Sequence, residues 1–301
     1  MSNKNILVII GSIFLITACN SNSGNKTQLK TADQKNMNAL LKMLVKTDGE
    51  GPPILLVPGG LTGWKSWEPF VEYFAGKQKR VIRVELLSVQ YGYENRPLPS
   101  GYTVKTESRA LTATLDSMGF PGPLDIVAWS FGAFTSLDFA LDHPDRIRTL
   151  TLIEPPAIWS LREAGPLDAE TTKTVNFFET LQGDITEDML ASFLREAGFL
   201  KQDQQARELP QWQQWVPFRQ SLRNCPAVVS HRDKLDRLHH IQAPVLLVKG
   251  TGSAPFLHRI IDVLAAQLPN ARIVEFPGGH APHIVSKDRF LAELENFQRI
   301  P

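Results

Sequence analysis

The chain is expected to fold as an α/β protein, with a mainly parallel central sheet, helices on both faces and a helical insertion between two strands. Three observations lead there. Short β-rich apolar runs alternate with longer helical patterns, which is how parallel strands are joined, because each crossover must carry the chain back along the sheet. One long interval, residues 156–240, breaks that rhythm and carries helical patterns without a convincing strand. The composition, 43% hydrophobic and 21% charged with 20 Gly and 21 Pro in 301 residues, is that of a globular protein able to bury a substantial core. It leaves no room for a mostly disordered or many-span membrane chain. With 32 basic against 31 acidic residues the formal charge is +1, which gives no reason to expect nucleic acid as a partner. Two cysteines, Cys19 and Cys225, cannot build a disulfide framework or a cysteine-based zinc site.

The first segment reads as an address. Lys4 precedes an apolar run from Ile6 to Ile16, and small residues follow up to Cys19. A spanning helix needs about 20 apolar residues, so this run has the layout of a secretory signal over residues 1–18. Ile16-Thr17-Ala18-Cys19 resembles the lipobox of bacterial lipoproteins, which implies a lipidated Cys19 at the mature N-terminus. Residues 19–38 would then be the modified cysteine and a flexible linker rich in Asn, Ser, Lys, Thr and Gln. The resemblance implies a lipid-anchored protein of the bacterial cell envelope. Asn20, where an aspartate would retain the protein at an inner membrane, favours the outer one; a periplasmic or secreted protein is the alternative.

Beyond the linker, strands are predicted at 54–57, 81–84, 124–128, 149–153, 245–249 and 273–276, each of strand length and bounded by Gly, Pro or charge. A further edge strand is expected at 40–45. Helices are predicted at 103–118, 131–142, 255–267 and 287–298, with Gly119 and Pro144 closing the first two. In the interval without strands, 184–197 reads as a helix with Thr186 as its cap, and Trp212, Trp215 and Phe218 make the segment aromatic. The expected division is therefore 39–155 and 241–301 as the core, with 156–240 as a helical lid.

The most informative stretch is Asp125-Ile126-Val127-Ala128-Trp129-Ser130-Phe131-Gly132-Ala133-Phe134. A serine where a buried strand turns sharply into a helix needs small neighbours two places on either side, and Ala128 and Gly132 supply them. Such a bend lifts the Ser130 hydroxyl clear of the sheet and aims the N–H groups of the next helix at a developing oxyanion. With this turn on the page, the chain from about residue 40 to its end resembles the α/β-hydrolase superfamily. Ile54-Leu55-Leu56-Val57-Pro58-Gly59-Gly60 is similar to that fold's early strand and oxyanion loop. The run from Ala243 to Gly250 is similar to its penultimate strand, Phe276-Pro277-Gly278-Gly279-His280 to its histidine loop, and the helical interval to its lid.

The candidate site residues follow. Ser130 is the nucleophile candidate and His280 the base, late in the chain as the order Ser, acid, His requires; His283 is the competing base. In most members of the superfamily an aspartate follows the penultimate strand, but Gly250-Thr251-Gly252-Ser253-Ala254 contains no carboxylate. The resemblance to relatives that carry the acid after the preceding strand points to Glu154, with Asp262 and Glu85 as lesser candidates. It also implies the backbone N–H groups of Gly60 and Phe131 as oxyanion donors, with Pro58 standing where the family usually has histidine. Trp64 and Trp129 are expected in an apolar substrate pocket. Gly59-Gly60-Leu61-Thr62-Gly63-Trp64-Lys65-Ser66 is close to a phosphate loop, but Trp64 occupies the place where a glycine must precede the lysine, so the match is rejected. No cofactor is expected, and no metal, since His280 and His283 lack a third ligand.

These residues together lead to the expectation of a serine hydrolase that cleaves a carboxylic ester or related acyl bond through an acyl-enzyme on Ser130. The rival expectations are a binding protein that retains the fold without catalysis, favoured by Pro58, Ala128 and the missing aspartate, and a non-hydrolytic relative such as a lyase or perhydrolase.

Overall fold

Strands whose residues are apolar on both faces must be covered on both sides, and that requirement organises the molecule. The computed structural model describes residues 41–200 and 203–299; the expected signal at 1–18, Cys19 and the linker to 38 lie outside the described residues. Seven strands, β1 (Leu44–Asp48), β2 (Pro53–Val57), β3 (Arg80–Glu85), β4 (Leu124–Trp129), β5 (Ile147–Ile153), β6 (Val245–Gly250) and β7 (Ala271–Phe276), form one sheet in the order β1-β3-β2-β4-β5-β6-β7. Every neighbouring pair is parallel except β1 with β3.

The six strands expected from 54 onward are all present, and the predicted helices at 131–142, 255–267 and 287–298 keep their boundaries. Outside the insert, three helices had no sequence expectation: α1 (Glu68–Gly76), α2 (Leu87–Tyr93) and a short one at Pro282–Val285. The first carried a signal, Pro69 followed by Phe70 and Phe74 one helical turn apart, both buried. Next come α3 (Val104–Ser117), whose Thr103 and Thr106 form a reciprocal cap, and α4 (Phe131–Asp142). The edge strand expected at 40–45 begins later, at Leu44. Met43 donates its N–H to Thr114 Oγ1 at 2.8 Å, which ties the preceding residues to α3 instead of the sheet. With most of its residues exposed or half-exposed, β1 has no apolar rhythm from which its start could be read.

Alternate side chains sort into two cores. Ile54, Leu56, Val81, Val127, Ile153, Leu246 and Val248 join Phe70 and Phe74 of α1 on one face. The same face takes Phe290 and Leu294 of the last helix (Lys287–Gln298). Leu55, Val57, Ile82, Ile126, Leu150 and Leu152 join Leu111 of α3, Phe134 of α4 and Ile261 of the helix Pro255–Gln267 on the other.

Between β5 and β6 the described chain is helical, with α5 (Ile158–Ala164), α6 (Ala169–Glu179), α7 (Glu187–Glu196), α8 (Trp212–Trp215), a 3₁₀ stretch (Val216–Asn224) and α9 (Cys225–Ser230). Thr186 caps α7 by accepting from the Met189 N–H, as its position before the periodic run implies. Phe178, Leu190, Leu194, Trp212 and Leu222 from this insert belong to the second of the two cores, so the insert packs on the sheet's helices through apolar contact. The helices that complete the chain are α10 (Pro255–Gln267), α11 (Pro282–Val285) and α12 (Lys287–Gln298). No helix among the described residues is long and apolar enough to cross a membrane.

The tightest junction is where α4 leaves the sheet. A Cβ on Gly132 would come within 2.2 Å of the Pro58 carbonyl oxygen and 2.8 Å of that of Val57. Gly132→Ala is therefore expected to cost about 1–3 kcal/mol of stability, seen in calorimetry as a fall of about 2–4 °C in Tm per kcal/mol. Gly76→Ala at the end of α1, where an added Cβ meets nothing within 4 Å, is the control and should melt with the parent.

Candidate active site

At the C-terminal ends of neighbouring parallel strands two residues adopt the left-handed backbone region that side chains other than glycine rarely occupy. Ser130, directly after β4, has φ 54°, and Glu154, directly after β5, has φ 47°. Each stays on the sheet's hydrogen-bond ladder, Ser130 N–H donating to Ile153 O at 2.8 Å and Glu154 N–H to Val248 O at 3.2 Å. Held by the ladder and bent sharply past it, both side chains project from the same edge of the sheet.

His280 reaches that edge from the loop after β7. Its Nδ1 lies 2.7 Å from Glu154 Oε2, and its Nε2 lies 2.7 Å from Ser130 Oγ. The other carboxylate oxygen of Glu154 accepts the Gly250 N–H at 2.7 Å. Thus the loop in which the aspartate was missing still takes part, through its backbone. The His280 main chain is held as well, its N–H donating to Gly198 O at 3.1 Å and its carbonyl accepting from Trp129 Nε1 at 2.6 Å. Glu154 and His280 are both buried. When Nδ1–H donates to the carboxylate, Nε2 is left as the acceptor for the serine proton, which fixes the tautomer a base needs.

Ser130, His280, Gly60 and Phe131 line one small, mainly apolar cavity that is partly open to solvent. Phe131 is the first residue of α4, so its N–H has no acceptor within the helix. Gly60 sits beside it: a Cβ on Gly60 would be 3.9 Å from that of Phe131. The remaining wall is aromatic and aliphatic, with Trp129, Phe178, Phe193, Phe199, Trp215 and Phe256 among its residues. Phe199 stands edge-on to the His280 ring at 4.9 Å. Cys225 also lines the cavity, and burial pushes its thiol up, so it stays protonated.

The structure moves several candidates away from this point. Trp64, expected in the pocket, does not line it. Its N–H donates to the buried carboxyl of Glu85 at 3.3 Å, and its ring lies under the Lys46 ammonium at 4.7 Å. Glu85 itself is pushed up to about 8 by burial and is occupied beneath that turn. Asp262 is on α10, 2.9 Å from Lys249 Nζ and largely exposed. His283, the competing base, is fully buried among Trp67, Phe70, Trp129 and Phe290, at 5.0–5.8 Å between ring centroids. Neither of its ring nitrogens has a hydrogen-bond partner among the described residues.

Phe178, Phe193 and Phe199 had no expectation, because their convergence depends on how the insert folds over the sheet. Their only linear signal is the aromatic content of the insert; of Trp212, Trp215 and Phe218, singled out for it, Trp215 lines the cavity and the other two do not. Asn224, which also lines it, carried no signal.

Residues 52–287 match the family model of the alpha/beta hydrolase fold. A pimeloyl-acyl-carrier-protein methyl ester esterase of Nitrosomonas europaea is 26% identical over 82% of this chain and 96% of its own length. The enzyme of the same description from Aeromonas hydrophila is 24% identical over 85% of this chain and 99% of its own. Among solved structures, a hydrolase from Pseudomonas aeruginosa superposes with a TM-score of 0.69 at 20% identity, covering 86% of this chain and 98% of that one. An esterase from Exiguobacterium antarcticum does so with a TM-score of 0.68 at 18% identity, covering 85% and 95%.

His283 generates a pH prediction. Burial first, then the neighbouring His280, lowers its pKa from the ordinary 6.5 to about 3. Between those values the unfolded chain binds a proton that the folded chain does not. This contribution to stability is complete above pH 6.5 and lost on acidification toward pH 3, with a slope of at most about 1.4 kcal/mol per pH unit. Denaturant titrations of the parent and His283→Phe from pH 7 to pH 4 should show the smaller acid loss in the variant. Parallel curves would contradict the assignment.

Proposed function

The chain belongs to the α/β-hydrolase fold family, and from that premise we propose how it works as a serine hydrolase on a carboxylic ester or related acyl bond. Ser130 Oγ attacks the carbonyl carbon as His280 Nε2 takes the hydroxyl proton. Glu154, on Nδ1, holds the ring in the required tautomer and stabilises the imidazolium that forms. The N–H groups of Phe131 and Gly60 bind the oxyanion of the tetrahedral intermediate. Collapse expels the alkoxide, which receives the proton from His280, and leaves the acyl group on Ser130. Water, deprotonated by the same nitrogen, attacks that ester, and the acid departs as Ser130 regains its proton. The observation that carries this reading is the continuous hydrogen-bonded chain Ser130–His280–Glu154–Gly250, whose serine opens onto an aromatic-walled cavity.

The wall suggests an apolar acyl or alcohol part, because such rings gain most by covering apolar surface. The relatives described as methyl ester esterases support an ester over an amide. The insert, residues 156–240, acts as the lid that closes this cavity. Ser130→Ala should lower kcat on a p-nitrophenyl ester by about 10³-fold or more and abolish labelling by a fluorophosphonate. Glu154→Gln should also lose most activity while its melting curve stays close to the parent's; a fully active Glu154→Gln would remove the acid role from that residue.

We also propose that the protein is anchored in the bacterial cell envelope through acyl chains on Cys19, in the outer membrane where two membranes are present. Lys4, the apolar run to Ile16 and the Ile16-Thr17-Ala18-Cys19 motif support this. Cys19→Ser should shift the protein from the membrane pellet to the soluble fraction, and unchanged partitioning would end the anchoring proposal.

A further inference from the structure

The oxyanion side of the cavity is built partly by the insert. Ser221, in the 3₁₀ stretch Val216–Asn224, has its one O–H within reach of two carbonyls, that of Gly60 and that of Phe218 at 2.7 Å, so the insert touches the loop that carries one of the two backbone donors. Three residues on, at the end of the same stretch, Asn224 lines the cavity together with Ser130, His280, Gly60 and Phe131. Its carboxamide nitrogen is 3.7 Å from where a Cβ on Gly60 would sit, on the side of Gly60 that also meets Phe131. Only 4% of Asn224 is exposed. An amide nitrogen carries two N–H groups. Among the described residues, the acceptor found for Asn224 Nδ2 is Ser88 Oγ, at a long 3.4 Å, which leaves the second N–H unspent.

That residue is also held in place from behind. Ser88 is fully buried, and its N–H donates to Glu107 Oε1 at 2.8 Å. The same carboxylate accepts the Leu87 N–H at 2.9 Å and the Tyr102 hydroxyl at 2.6 Å, and burial raises its pKa. Glu107 thus satisfies the first N–H groups of α2, the helix that bears Ser88. The contact between α2 and the 3₁₀ stretch is close: a Cβ on Gly92 would fall 2.3 Å from the Ser221 nitrogen. Buried polar groups of this kind are costly unless paired, and when paired they fix position. The chain Tyr102–Glu107–Ser88–Asn224 therefore ends in a pre-oriented amide on the wall where the oxyanion develops.

We propose that Asn224 is a third oxyanion donor, a side-chain N–H that joins those of Gly60 and Phe131. This deepens the hydrolase reading and rests on it. It also gives a role to the sequence difference at Pro58: with no histidine in the early loop, the insert supplies a donor. The arrangement makes catalysis depend on the insert being docked, since Asn224 leaves with it if it opens.

The test is a comparison of transition-state with ground-state binding in the full chain. A trifluoromethyl alkyl ketone adds to Ser130 Oγ, its proton passing to His280, and gives a hemiketal oxyanion; the matching methyl ketone binds largely without addition. Asn224→Ala and the near-isosteric Asn224→Leu should lower kcat on p-nitrophenyl butanoate by about 10- to 100-fold, below the full cost of losing a main donor. KM should stay within about twofold. Inhibition by the trifluoromethyl ketone should weaken by the same factor as kcat, with methyl ketone affinity unchanged. Should either variant fold poorly, Asn224→Asp keeps the shape and must lower kcat and trifluoromethyl ketone affinity together while methyl ketone affinity holds, because a carboxylate repels the oxyanion. A rise in KM at constant kcat, equal weakening of both ketones, or an unchanged enzyme would overturn the proposal. Those outcomes stay distinct from failure of the hydrolase reading, in which the parent neither turns over the ester nor takes up fluorophosphonate.

Discussion

The bend at Ser130 is the constraint from which the site's other requirements descend. A serine at φ 54° with its N–H on the β5 ladder is a strained residue, and such strain costs on the order of 1–3 kcal/mol unless the surroundings over-determine it. Here they do. Gly132 lets the first turn of α4 lie against the carbonyls of Val57 and Pro58, and the buried strand β4 fixes the approach. The bend exposes the hydroxyl at the sheet edge and aims the free N–H of Phe131 into the same space. The placement of the Ser130 hydroxyl and that of the Phe131 N–H are thus consequences of one backbone conformation.

The position of Glu154 shows how neighbouring parallel strands can present a side chain to one point. Neighbouring strands lie about 4.8 Å apart, so a carboxylate at the end of β5 must cover roughly one strand spacing more than one at the end of β6 to reach the His280 imidazole. Glutamate has one more methylene than aspartate, and the left-handed backbone at Glu154 turns its side chain along the edge. The Gly250 N–H, at the end of β6, completes the hydrogen bonding of the Glu154 carboxylate. A buried carboxyl group of this kind is tolerable only when its oxygens are hydrogen-bonded, and both are.

The histidines and the insert make the complementary point about environment. His280 and His283 lie three residues apart, yet one is bonded at both ring nitrogens and the other is packed among aromatic rings with neither nitrogen bonded. The intervening turn places one imidazole at the sheet edge and the other in the core beneath Trp129. The insert, meanwhile, contributes much of the cavity's apolar wall while its own helices are buried in the same core as the sheet, so substrate shape and fold stability draw on shared residues.

How much of this was legible depends on the range of the interaction involved. The strand–helix alternation, the boundaries of α4, α10 and α12, the Thr186 cap and the Ser130 bend rest on contacts within a few residues, which periodicity and turn chemistry record. Linear order and a family resemblance also singled out Glu154 and His280, although composition alone could not separate them from Glu85, Asp262 and His283. Tertiary structure decided what depends on distant segments meeting. It put the Trp64 ring under the Lys46 ammonium instead of in the cavity, brought Phe178, Phe193 and Phe199 onto the wall, and set Asn224 beside Gly60. The local pattern is written in the backbone's own short-range geometry; which side chains share a cavity is settled only when the sheet and its insert bury their apolar faces against each other.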